Sequence, residues 1–110
     1  MMFPKAVIVR SKAYLRLVAS LPCINCGLHD YSQAAHVPAS GKGMKESDFS
    51  TFPLCCNRPG VNGCHQNFDL YAMFPDSQET REVGSRWASE TRALLNLMGL
   101  FPTNLQKGDA

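Results

Sequence analysis

The chain has 110 residues and a formal net charge of +2, with the composition of an ordinary soluble protein. That length suits one domain with a small core, and domains of this size often lean on a metal or a disulfide. No stretch is apolar enough for long enough to cross a bilayer, and so weak a charge does not by itself demand a polyanionic partner.

Basic residues crowd the start, at Lys5, Arg10, Lys12 and Arg16, as solvated surface or as phosphate contacts. Residues 1–9 hold a short apolar run without a long hydrophobic region or a small-residue cleavage site, so no signal peptide is expected. From Ser11 to Leu21 the apolar residues Ala13, Tyr14, Leu17, Val18 and Leu21 fall at helical spacing, and Pro22 stops the helix. Leu28 to Gln33 reads as a turn, Ala34 to Val37 as a strand, and the Gly-, Lys- and Ser-rich stretch from Pro38 to Ser50 as a long loop of the kind that carries function. Phe52 to Cys55 reads as a second strand, with Pro53 marking a strand start or a sheet edge. Pro59-Gly60 and Asn62-Gly63 are turn dipeptides.

A helix is predicted from Cys64 to about Met73, with Phe68, Tyr71 and Ala72 inward, broken by Pro75. Asp76 with Glu79 three residues on has capping-box spacing and opens a helix from Ser77 to about Met98. Val83, Trp87, Leu94 and Met98 form its apolar stripe, with Ala88 and Leu95 beside it; Gly84 weakens it locally. The expected organisation is a single α+β domain over residues 1–110, with its core at about 21–75 and a C-terminal helix at about 77–98.

Five cysteines cannot close a disulfide framework without a remainder, and Cys23-Ile-Asn-Cys26-Gly27 has the spacing of a metal knuckle. Reduced cysteines and no export signal lead to the expectation of a cytoplasmic protein. The second half of the knuckle falls to Cys64 with Cys55 or Cys56. The eight residues between Cys55 and Cys64 must fold back through the two turns. Cys55 is preferred, because alternate strand residues point oppositely. Cys23, Cys26, Cys55 and Cys64 are therefore the expected structural Zn2+ ligands.

One residue later, His65 and Asp69 stand one turn apart on a helix face, a pair suited to an oxygen-preferring divalent ion with open positions. His36 ends the first predicted strand, and if the strands pair with the helix across them it can act there as a general base. Asp48 is placed to orient His36 or to cap a turn. Lys42, Lys45 and Arg58 are the expected nucleic-acid contacts.

Taken together, Leu21-Pro22-Cys23-x-x-Cys26-Gly27, Ala35-His36, Gly41-Lys42-Gly43-Met44 with Lys45 and Asp48, Pro53-Leu54-Cys55 and Cys64-His65-x-x-x-Asp69 resemble the HNH endonucleases. The likeness is greatest to the small phage and prophage YbcO-like group, with the Ref recombination nuclease more distant, and it covers roughly residues 14–92. It implies a ββα-metal (His-Me finger) core steadied by a zinc knuckle, with His36 as general base, His65 as ligand of a catalytic Mg2+ or Mn2+, and Asp69 where relatives often carry the last His. Ala35 stands where many HNH enzymes have a further acidic or His ligand, and the Asn of the family name has no clear counterpart near Asp48 and Ser50. The implied function is metal-dependent hydrolysis of DNA phosphodiesters, leaving 5′ phosphate and 3′ hydroxyl ends, in phage-linked recombination or replication. The competing readings are a catalytically inactive zinc-knuckle module that binds nucleic acid, and a four-cysteine iron site for electron transfer. Both a monomer and a homodimer are compatible with the sequence.

Overall fold

Residues 10–38 and 47–101 are described by a computed structural model; Lys5, Lys42 and Lys45 lie outside the described residues. In chain order the elements are α1 (Lys12–Ala19), β1 (Ser32–His36), β2 (Thr51–Cys55), α2 (Cys64–Asp69) and α3 (Ser77–Leu97). The architecture is α+β. The two strands form an antiparallel pair in which Ser32 faces Cys55, Ala35 faces Phe52 and His36 faces Thr51.

A two-stranded sheet is marginal in water by itself, so its covers decide its stability. Side chains alternate along a strand, sending Ala35, Phe52 and Leu54 to one face and Ala34, Thr51 and Pro53 to the other. The first face packs on Phe68 of α2 and on Val83, Trp87 and Ala88 of α3. Ala34, on the second, packs with Tyr14, Val18, Leu21 and Leu95. All five residues of β2 are buried, which is why Thr-Phe-Pro-Leu-Cys does not alternate in polarity. Pro53 fits mid-strand because its backbone faces away from β1: its carbonyl accepts from the Ile24 N–H at 2.9 Å, and its missing N–H costs the ladder nothing.

Phe52, Phe68 and Trp87 form the aromatic centre, with ring centroids 5.2, 5.6 and 6.0 Å apart. Gly84 serves this packing. A Cβ there would lie 3.1 Å from the Phe68 ring, so its bare backbone lets α3 lie against the aromatic cluster.

Several boundaries differ from the sequence expectation. The first helix ends at Ala19, short of Leu21, because the residue before Pro22 is disfavoured in helical conformation. Its start is as expected, with Ser11 Oγ accepting from the Tyr14 N–H at 3.1 Å. The first strand begins at Ser32 rather than Ala34, and the second at Thr51.

α2 stops at Asp69, well before Met73. Tyr71 takes a left-handed φ of 57°, its N–H donates to Phe68 O, and the Ala72 N–H donates to Asn67 O. That paired pattern ends the helix and turns Tyr71 and Ala72 outward instead of inward.

In α3 the expected capping holds, with the Asp76 carboxylate accepting from the Glu79 N–H at 2.8 Å. The buried stripe runs instead through Thr80, Val83, Gly84, Trp87, Ala88, Thr91 and Leu95, leaving Leu94 and Met98 exposed. Both threonines tolerate burial because their hydroxyls donate up the helix, Thr80 to Asp76 O and Thr91 to Trp87 O. No helix among the described residues is long and apolar enough to cross a membrane.

Candidate functional site

Four thiols converge where the turn after α1 meets the end of β2 and the start of α2. The ligand atoms of Cys23, Cys26, Cys55 and Cys64 all lie within 4.8 Å of one another. Cys26 Sγ and Cys55 Sγ are 3.8 Å apart, and a tetrahedron with Zn–S bonds of about 2.3 Å has edges of about 3.8 Å. The donor set therefore fits a metal ion such as Zn2+. Cys56, the next residue along the chain, stays outside the group, as strand alternation requires.

The backbone prepares this geometry. The Cys23 N–H donates to Leu28 O at 2.9 Å and the Gly27 N–H to Cys23 O at 2.8 Å, closing the first knuckle. Across the group, the Cys64 N–H points at Cys55 Sγ at 3.4 Å and Asn25 Nδ2 at Cys64 Sγ at 3.3 Å. The insert between Cys55 and Cys64 folds back through an Arg58–Val61 bridge, and the Gly63 N–H donates to Asn57 Oδ1 at 2.7 Å. Asn57 also holds Gln66 through its amide nitrogen. Gly63 is sterically required, since a Cβ there would stand 2.4 Å from the Cys55 and Cys56 carbonyl groups. Gly63→Ala is accordingly expected to cost more than about 2 kcal/mol and to lower bound zinc, as read by thermal melting and metal analysis.

Electrostatics in the thiol group are uneven. Burial pushes the Cys55 thiol up, but hydrogen bonds from the Cys64 N–H, Arg58 and the neighbouring thiols outweigh it and bring it down to about 6. Burial pushes Cys64 up to about 12 against the hydrogen bond from Asn25. Cys26 is also raised: burial and its contacts with Cys23 and Cys55 outweigh the largest single influence, a lowering backbone hydrogen bond at Leu28. One thiolate is thus ready near neutrality while other ligands still carry protons that a metal must displace. Zinc affinity is expected to fall as pH drops from about 8 to about 6, with proton release on binding, measurable by chelator competition at fixed pH values.

Arg58 sits against this centre. It donates to Cys56 O at 3.0 Å, lies 5.6 Å from the centre of the Tyr31 ring, and is held more strongly protonated by its hydrogen bond with Cys55.

His36 belongs to a second arrangement. Its Nε2 is 3.0 Å from Asp48 Oδ1. A carboxylate only accepts, so Nε2 carries the hydrogen and the lone pair sits on Nδ1. Asp48 is 5 % exposed and is fixed from two other sides, by the Ser11 N–H at 2.7 Å and by Arg10 at 3.5 Å. The imidazole itself remains 41 % exposed.

His65 belongs to a third. Its Nδ1 is 2.8 Å from Gln33 Oε1, which places the hydrogen on Nδ1, and its Nε2 is 3.3 Å from Asp69 Oδ2. These residues line a cleft of about 700 Å³ with Cys56, Asn57 and Gln66. Gln33 and His36 are three residues apart on β1, about 10 Å in extended chain and on alternate faces. Among the described residues, the cysteines are the sole group of three or more His, Cys, Asp or Glu gathered within metal-ligand distance. His36, His65 and Asp69 do not make such a group.

Three contributors escaped the sequence reading. Gln33 holds His65 from 32 positions away, and no local pattern marks such a partner. Asn25 was hidden as the spacer of a knuckle, and Asn57 as part of a turn-rich insert. No protein-family model, curated protein or solved structure matches the chain.

Proposed function

We propose that the chain is a metal-dependent DNA endonuclease of the HNH, or His-Me finger, type, with His36 as its general base. The observation that carries this reading is the buried Asp48 holding His36 Nε2 at 3.0 Å, which leaves the lone pair on Nδ1 of a part-exposed ring. An imidazole so oriented is suited to take a proton from water near neutral pH, and a positioned base of this kind is worth ~10²–10⁴ in rate.

His65 Nε2 and Asp69 Oδ2 would hold the catalytic divalent ion. Their 3.3 Å separation is near the roughly 3 Å between adjacent donors of an octahedral ion with bonds of about 2.1 Å. Gln33 fixes the His65 tautomer, which leaves the Nε2 lone pair for the ion. Ala35 is fully buried in the core, so the protein offers no ligand from that position, and the remaining positions fall to water and substrate. Bound Mg2+ or Mn2+ supplies positive charge that stabilises the developing negative charge on the phosphate and the leaving oxygen. The His36 and His65 stations flank β1 from its two faces, and Gln33 and His36 are both exposed.

In this reading the thiol group keeps the sheet and α2 in register and takes no part in the chemistry. The test is nicking of supercoiled plasmid by zinc-loaded protein with Mg2+ or Mn2+. Wild type is expected to nick and His36→Ala to be silent. Equal behaviour of the two would remove the enzyme reading and leave a zinc-knuckle module that binds nucleic acid.

A further inference from the structure

A second polar cleft, of about 660 Å³, opens beside the end of β1 and lies apart from the residues around His65. Its floor is Val37, Pro38 and Ser50, the first of which directly follows His36. The Val37 N–H donates to Ser50 O at 3.0 Å, so this floor continues the strand pairing beyond His36 and Thr51. Its wall is one flank of α3, where Arg81, Ser85 and Arg92 follow one another at helical spacing.

The wall has the chemistry of an anion-binding surface. Arg92 donates one N–H to Phe49 O at 2.7 Å, which fixes the guanidinium and leaves its other donors available. Arg81 is partly exposed on the same flank. Glu82 also lines the cleft, and Gln78 Nε2 donates to it at 3.1 Å. Two guanidinium groups against one carboxylate leave the cleft net positive. Arg81 and Arg92 are eleven residues apart, about 16 Å along the helix axis. That distance is too long for one phosphate, so the two guanidinium groups would meet different phosphates of the backbone.

We propose that this cleft holds the DNA sugar–phosphate backbone next to the segment presented to His36, with Arg81 and Arg92 on separate phosphates. The inference rests on the nuclease reading for its substrate, but its own residues lie outside the proposed base and ion ligands. Contacts of this kind position the strand without reading its sequence, so the cleft contributes affinity with little base preference.

The test is fluorescence-anisotropy binding of a labelled DNA duplex to zinc-loaded protein, without added divalent ion, across a potassium chloride series. Arg81→Gln is expected to weaken binding roughly three- to tenfold and to reduce the slope of log affinity against log salt by about 1. Glu82→Gln is expected to tighten binding. Arg86→Gln, on the other flank of α3 where Arg86 pairs with Glu90, is expected to change neither quantity. Circular dichroism identifies any variant that fails to fold, and Arg81→Lys, which keeps the charge, is expected to restore most of the affinity. Wild-type affinity and salt slope in folded Arg81→Gln, or no DNA binding by the wild type, would overturn the proposal. Plasmid nicking separates the two readings: a silent wild type whose DNA binding depends on Arg81 loses the nuclease and keeps the cleft. Active nicking with binding indifferent to Arg81 does the reverse.

Discussion

The Cys23→Ser variant is expected to lose the cooperative thermal transition of the domain and its bound zinc together. The reason lies in how the thiols tie the chain. Cys23 and Cys55 are 3 % and 1 % exposed and belong to the same packed cluster as Phe52, Phe68 and Trp87. The knuckle is bonded to the sheet through the Ile24 N–H to Pro53 O, and the Cys56 N–H donates to Tyr31 O at the other end of the hairpin. A metal on the four thiols therefore joins the turn after α1, the end of β2 and the start of α2. Apparent binding energies of ~10–16 kcal/mol for structural zinc match or exceed the ~5–15 kcal/mol that holds a typical domain together. Far-UV circular dichroism with metal analysis is the measurement, and chelation of the wild-type protein should reproduce the loss. A Cys23→Ser protein that has lost zinc yet melts like the wild type would show that the hydrophobic clusters suffice alone.

His65→Ala is expected to give the opposite separation. Its side chain is 23 % exposed and its two polar partners are Gln33 and Asp69, neither in the core. Loss of a hydrogen bond of this kind costs about 1 kcal/mol, so zinc content and melting temperature should stay near wild type. Plasmid nicking, in contrast, should fall by at least ~10²-fold, because the proposed ligand of the catalytic ion has gone. His36→Ala should be equally silent, yet it leaves His65 and Asp69 in place, so binding of Mn2+ at that pair should survive in His36→Ala and fail in His65→Ala. Comparable thermal damage from His65→Ala and Cys23→Ser would mean that the structural and catalytic positions are not separate.

The two variants bear on one element: Cys64, which shares the thiol group with Cys23, and His65 open α2 together. One backbone turn presents a thiol toward the knuckle and an imidazole toward the cleft beside β1. The helix has only six residues. Such a helix has little stability alone. It is held by the Gly63 approach to Cys55 and Cys56 at one end and by buried Phe68 against Phe52 near the other.

What the sequence determined by itself was the local chemistry. Cys23-x-x-Cys26 with Cys55 and Cys64 was legible because the metal imposes spacing, and Cys55 could be preferred to Cys56 because strand side chains alternate. Asp76 announced its helix because a cap acts within three residues. The α+β class followed from short apolar strands between periodic stretches. Other features are set by contacts across the chain, and only the tertiary structure decided them. The buried stripe of α3 turned through Thr91 and Leu95 because internal hydrogen bonds make threonine acceptable in a core, which a hydrophobicity pattern cannot register. α2 ended early because Tyr71 entered a left-handed conformation that residue type does not foretell. Asp48, which the sequence offered to His36 or to a turn, met His36, and Gln33 met His65 unannounced, because pairing Ala35 with Phe52 sets the register of everything beyond the strands. A side chain's partner is a property of the packed chain, whereas its spacing to the next ligand is written in the sequence.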